Sequence, residues 1–140
     1  MVKQLSVFIE NSKGRLAHVT GVLGEAGVDL HSLSIADTTN FGILRAIVDD
    51  HDKALKVLKE NGYTVNITEL LAVAVSDIPG GLAKALEVLN EKDVAVEYLY
   101  SFVRKPSESA LILFKVDDPK KAVAALEGSG LKLLAQNELI

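Results

Sequence analysis

Residues 71–102 read LAVAVSDIPGGLAKALEVLNEKDVAVEYLYSF, and residues 5–36 read LSVFIENSKGRLAHVTGVLGEAGVDLHSLSIA. The second passage is a copy of the first. Leu5 matches Leu71, Gly14 matches Gly80, Leu16 matches Leu82, Leu23 matches Leu89 and Val28 matches Val94, all at an offset of 66. Asp49-Asp50 matches Asp117-Asp118 at an offset of 68, so the second copy carries two extra residues, placed most economically around Lys105-Pro106-Ser107. A chain of 140 residues built from two such copies is two small modules, 1–69 and 70–140, rather than one domain. The joint at Thr68-Glu69-Leu70 has no Pro, Gly or Ser linker, which predicts tight coupling.

Each copy alternates strand and helix patterns. Gln4–Ile9 is rich in β-formers, and Asn11-Ser12-Lys13-Gly14 punctuates it with a turn. Leu16, Val19, Thr20 and Leu23 then fall on one helical face, which predicts that Leu16 and Leu23 point at a sheet, as do Leu82 and Leu89. Gly27 closes that helix. Leu30–Ile35 and Phe41–Val48 read as strands around a turn at Thr38-Thr39-Asn40. Asp50 caps a second helix that Gly62 ends, and Tyr63–Ile67 is a fourth strand. The second copy repeats the series: strand Leu71–Val75, helix Gly81–Lys92, strands Val96–Val103 and Ser109–Val116, helix Pro119–Glu127, strand Leu131–Ala135. The order βαββαβ, twice, predicts an α+β fold: two ferredoxin-like modules, each an antiparallel four-stranded sheet with two helices on one face.

Composition narrows the function. Hydrophobic residues make up 49% and charged residues 24%, a globular balance. The formal net charge of −4, with acids and bases interspersed, favours neither nucleic acid nor an anionic membrane as partner. The apolar runs Leu70–Val75 and Ala110–Phe114 are too short to span a bilayer. Met1–Gln4 leads into a strand without a signal-peptide pattern, so a cytoplasmic location is expected. With no cysteine there is no disulfide, thiolate zinc site or cysteine nucleophile.

The strand-to-helix turns, Asn11–Leu16 (NSKGRL) and Asp77–Leu82 (DIPGGL), are the strongest candidates for binding. Glycine there permits close approach, and the following helix offers N–H groups and a positive dipole end to a carboxylate. A plain turn in which Gly supplies φ > 0 explains the same residues. Asp29 is placed to attract an ammonium group or, equally, to be an exposed turn residue. His18, His31 and His51 lack ligand spacing, so no metal is expected. Gly21, Gly24 and Gly27 lie within a helix pattern rather than opening it after a strand, which rejects dinucleotide binding; Gly21 and Gly24 instead permit close packing. No Ser–His–Asp set has a supporting elbow, and Asp49-Asp50 and Asp117-Asp118 are explained by capping. No enzymatic activity and no cofactor are expected.

The strand followed by DIPGGLAKALEVLNEKDVAVEYLY resembles the ACT-domain motif, strand–D/N-x-P-G-x-L–helix–G-V-N-I–strand. The first copy is similar, with Lys13 in place of the proline, and LSIADTTNFGILRAIVDD resembles the first module of small tandem ACT proteins. The resemblance spans residues 4–136 and implies a stand-alone tandem ACT-domain protein. It implies that an amino acid is bound between ACT modules, against Asn11, Ser12, Lys13, Gly14, Arg15 and Leu16 and the strand start at Asp29 and Leu30. A weaker counterpart falls on Asp77, Gly80, Gly81 and Leu82; the motif's Asn is Asp29 here and Ala95 in the second copy. The implied role is regulation of a partner metabolic enzyme, or structural assembly with one if no ligand binds. Four-stranded sheets leave open edges that proteins tend to pair, so the chain is expected to form a homodimer. Sedimentation of only a 15.0 kDa species at high micromolar concentration would contradict that.

Overall fold

Alternation along the first strand decides which side of the sheet is covered. In β1 (Val2–Glu10), Leu5, Val7 and Ile9 are buried while Phe8 and Glu10 are exposed. The computed structural model describes residues 1–37, 40–102 and 109–140. The expected turn residues Thr38 and Thr39, the expected insertion around Lys105-Pro106-Ser107, and Val103 lie outside the described residues.

The chain divides into two compact units, Lys3–Thr68 and Glu69–Ile140, with Met1–Val2 grouped with the latter. The elements follow in the order α1 (Arg15–Glu25), β2 (Leu30–Asp37), β3 (Phe41–Val48), α2 (His51–Glu60), β4 (Thr64–Ser76), α3 (Gly81–Glu91), β5 (Val96–Phe102), β6 (Ser109–Val116), α4 (Pro119–Gly128), β7 (Lys132–Leu134) and α5 (Gln136–Leu139). β4 supplies Thr64–Thr68 to the first unit and Glu69–Ser76 to the second.

In the first unit the strand order is β2-β3-β1-β4. β1 runs antiparallel to β3 from Leu5↔Ala46 to Glu10↔Phe41, and β2 runs antiparallel to β3 from Leu30↔Val48 to Asp37↔Gly42. One core joins Leu5, Val7 and Ile9 of β1, Leu44, Ala46 and Val48 of β3, Val19 and Leu23 of α1, and Ala54 and Leu58 of α2. Both helices therefore cover the same sheet face. Burial of each large aliphatic side chain contributes about 1.5–3 kcal/mol. The second unit repeats the arrangement, with order β5-β6-β4-β7. Its core joins Leu71, Val73 and Val75 to Ile112, Phe114 and Val116 under Ala85, Leu89, Ala122 and Leu126. The fold is α+β, two ferredoxin-like βαββαβ modules.

Some details differ from the sequence expectation. Leu16 does not point into the core; it is 41% exposed because it lies in the first turn of α1, beyond the buried pair Val19 and Leu23. A Cβ on Gly21 or Gly24 meets nothing within 4 Å, so these glycines are not required for close packing. The expected last strand is only Lys132–Leu134, because the chain turns into α5, where Glu138 accepts the Ala135 N–H at 3.0 Å.

The paired aspartates divide their work. Asp50 and Asp118 cap α2 and α4 by accepting the N–H groups of Lys53 and Lys121 at 3.0 and 3.1 Å, contacts worth about 1 kcal/mol each. Asp49 and Asp117 are not caps. Their Oδ1 atoms accept the backbone N–H of Asp29 and Ala95 at 2.9 and 3.0 Å, tying the start of the second strand of each unit to the end of the third.

The Asp29 N–H holds the Asp49 carboxyl below the usual carboxylate range; burial opposes it, and the Asp50 N–H adds a smaller lowering. A folded-state pKa below the unfolded one stabilises above the unfolded value, about 3.9, and that contribution is lost as pH falls through the folded value. Asp49→Asn is therefore expected to lower the melting temperature at pH 7. The gap from wild type should narrow below about pH 4 and close at lower pH; a gap that does not change with pH contradicts the charge argument.

Gly81 offers a steric test. A Cβ there would stand 1.9 Å from the Ser76 carbonyl oxygen. Gly81→Ala is expected to destabilise the protein by about 2–3 kcal/mol through forced backbone movement, measured by urea unfolding.

Candidate functional site

The turn between β1 and α1 is built by the backbone. The Asn11 N–H donates to Asn40 O at 3.0 Å, the Ser12 N–H to Glu10 O at 2.8 Å and the Arg15 N–H to Ser12 O at 3.3 Å. Gly14 then takes φ = 87°, a left-handed conformation that suits glycine, and α1 begins. No side chain caps α1; the Arg15 N–H is taken by Ser12 O, which leaves the N–H groups of Leu16 and Ala17 and the positive dipole end at the start of the helix. The turn walls a cavity of about 360 Å³ with Asn11, Ser12, Arg15 and Leu16; Ile35 and Asp37 of β2 and Gly42 of β3 close it. Lys13 is exposed at the tip.

Asp29 and Leu30 are not beside this turn within the unit. The Asp29 N–H is held by Asp49, and the Asp49 N–H donates back to Asp29 O at 3.2 Å. Asn11 lies by Asn40, at one end of β3, and Asp29 by Asp49, at the other. The eight residues of β3 separate them, roughly 25 Å of strand. Within one unit, then, Asp29 and Leu30 stand too far from the turn for a single amino acid to span both, and the two could meet one ligand only across an interface between modules. The Asp29 carboxylate is exposed, 3.8 Å from His31 Nε2.

Carboxylates at the turn end come from Glu10 and Asp37 instead. Glu10 lies 3.7 Å from the Arg15 guanidinium. Arg15 also stands over the Tyr63 ring, 6.0 Å from its centroid, and the Tyr63 hydroxyl is hydrogen-bonded to His18 Nδ1. A second cavity, of about 470 Å³, opens here. Phe8, Phe41 and Tyr63 give it aromatic walls, and it shares Ile9, Glu10 and Arg15 with the first. Sequence reasoning passed over Glu10, Phe8, Phe41 and Tyr63. Phe8 falls on the outward side of β1's alternation, and Tyr63 follows the helix-ending Gly62; neither pattern by itself signals a cavity.

The second unit's turn keeps the glycine, Gly80 at φ = 86°, and α3 likewise lacks a side-chain cap. Its lining differs. Gly81 replaces Arg15, Ser76 replaces Glu10, and Leu82 is half-buried against the core rather than exposed. Asp77 and Gly80 are exposed. Among the described residues, no group of His, Asp or Glu has the arrangement to hold a metal ion, and no helix is long and apolar enough to cross a membrane.

The family model described as an ACT domain pair matches residues 1–140. Protein BT0572 from Bacteroides thetaiotaomicron is similar at 41% identity, covering 99% of this chain and 94% of that one, with a TM-score of 0.91. The regulatory subunit of aspartate kinase from Thermus thermophilus shares the fold at 18% identity and a TM-score of 0.66, covering 91% of this chain and 90% of that one. Its counterpart from Thermus flavus does so at 16% identity and 0.63, covering 91% and 92%. No curated protein matches the sequence. Two βαββαβ units with a left-handed glycine opening each first helix, matched end to end by that model, show that the chain belongs to the ACT-domain family as an ACT domain pair.

Proposed function

We propose that this protein is a regulatory, non-catalytic protein of the cytoplasm that binds a small amino acid on the Asn11–Leu16 turn and thereby modulates a partner enzyme. The observation that carries the reading is the uncapped start of α1 at Gly14, directed at a cavity lined by Asn11, Ser12, Arg15 and Leu16. The ligand carboxylate takes the N–H groups near Gly14–Leu16, with the Arg15 charge beside them, an arrangement that favours anions. Asn11 hydrogen-bonds the ligand. Glu10 and Asp37, at the same end of the sheet, attract the ammonium group in place of Asp29. The site sits at an ACT–ACT interface completed by homodimerisation, and the second unit, lacking Arg15 and Glu10 equivalents, is mainly structural. Fold-sharing regulatory subunits of aspartate kinase support a regulatory role.

An assembly role without ligand is the second reading. It is favoured by apolar side chains left exposed, Leu33 at 51%, Ile35 at 44% and Ile78 at 66%, which suit a partner surface.

Thermal-shift screening of the twenty amino acids separates the two, because a ligand of the native state raises stability by mass action. At least one amino acid is expected to raise the melting temperature. Calorimetry should then show Asn11→Ala binding it about 3- to 10-fold more weakly, the loss of one hydrogen bond. Asp29→Ala should bind within about twofold of wild type, since Asp29 lies at the far end of the unit. A large loss in Asp29→Ala would mean that a second copy brings its Asp29 to the turn. Binding by no amino acid would overturn the ligand reading and favour assembly.

A further inference from the structure

We infer that the ligand of the first unit is an amino acid with an aromatic side chain, which enters the cavity walled by Phe8, Phe41 and Tyr63. This rests on the amino-acid-binding reading above and names the ligand class.

The two cavities meet. They share Ile9, Glu10 and Arg15, so a head group bound at the turn between Arg15 and Glu10 has its side chain at the mouth of the aromatic cavity. A volume of about 470 Å³ admits a phenyl or phenol ring. Its walls suit one. The Phe8 and Phe41 rings lie 6.1 Å apart at 49°, a tilted pair of the kind that aromatic rings favour. Phe8 and Phe41 are 40% and 44% exposed, unusual for a phenylalanine pair with no role beyond the core. In the same lining, Tyr63 is only 9% exposed and is fixed by its hydrogen bond to His18. A wall held this way does not need to be ordered when ligand arrives.

The internal repeat separates what the fold needs from what this cavity adds. The register pairs Glu10 with Phe41 in the first unit and Ser76 with Ser109 in the second, so the positions correspond. Phe8, Phe41 and Tyr63 correspond to Ala74, Ser109 and Leu131, and Glu10, Arg15 and His18 to Ser76, Gly81 and Lys84. The same sheet and helices form without any of the six. Tyr63 also packs in the first unit's core, but the fold does not require the identity of the other five, and all six are gathered at one end of one unit.

The test is calorimetry with L-phenylalanine and L-alanine on wild type, Phe8→Ala and Phe41→Ser. Both substitutions install the residue that the second unit already carries at that place, and both sites are exposed, so folding is retained. L-phenylalanine is expected to bind wild type about 10- to 100-fold more tightly than L-alanine, from burial of the ring. Each substitution should cut L-phenylalanine binding about tenfold and leave L-alanine binding unchanged. If L-alanine binds as tightly as L-phenylalanine, or if neither substitution affects L-phenylalanine, the aromatic assignment is overturned and the amino-acid site stands. If neither amino acid binds and Phe8→Ala or Phe41→Ser weakens self-association in sedimentation, a second copy covers the cavity and the assignment is overturned. Failure of all twenty amino acids to bind overturns the ligand reading and this inference with it.

Discussion

One left-handed residue in each unit sets the rest of the structure. Gly14 and Gly80 take φ values of 87° and 86°. That conformation turns the chain sharply out of the first strand and starts the helix at a residue that has no side chain to cap it. The helix must run back across the sheet for the second strand to lie parallel to the first in a right-handed crossover. Val19 and Leu23, or Ala85 and Leu89, then meet the strand residues that alternation has turned to that face. The same turn leaves N–H groups at the helix start without a side-chain cap, so one backbone choice builds both the core and an anion-favouring corner.

Duplication shows which parts of that design are obligatory. Both units keep the turn glycine, the aspartate cap on the second helix, and the aspartate that holds the N–H at the start of the second strand. That last contact uses the backbone of Asp29 in one unit and of Ala95 in the other, so the fold is indifferent to the side chain there. What differs is the end of the unit around Arg15, where charge and aromatic rings collect in the first copy and small or aliphatic residues stand in the second. The conformation is shared, and the chemistry is confined to one copy.

Most of the elements were legible because their signals are local. Strand alternation in Leu5–Ile9, the helical face of Val19 and Leu23, the Asp50 and Asp118 caps and the Gly62 and Gly130 stops each lie within a few residues of one another. The exposure of Leu16 is not legible in periodicity, which reports the direction of a side chain and not whether the sheet extends beneath it. The distance between Asp29 and the turn within one unit was not legible, because a motif orders residues along the chain, whereas α1 and β3 place them at opposite ends of the unit. The Phe8–Phe41–Tyr63 cavity had no signature, since its walls come from β1, β3 and the α2–β4 connection.

The sequence by itself determined the repeat, the order of the elements, the face each helix buries and the turn where an anion would be favoured. Those follow from spacing, propensity and the φ that only glycine adopts freely, all short-range properties of the chain. Only the tertiary structure decided which carboxylates stand at that turn, which aromatic rings surround Arg15, and that Asp29 lies far from both. These are matters of register between strands distant in the chain, and register is set by the packing of a whole core rather than by any one segment.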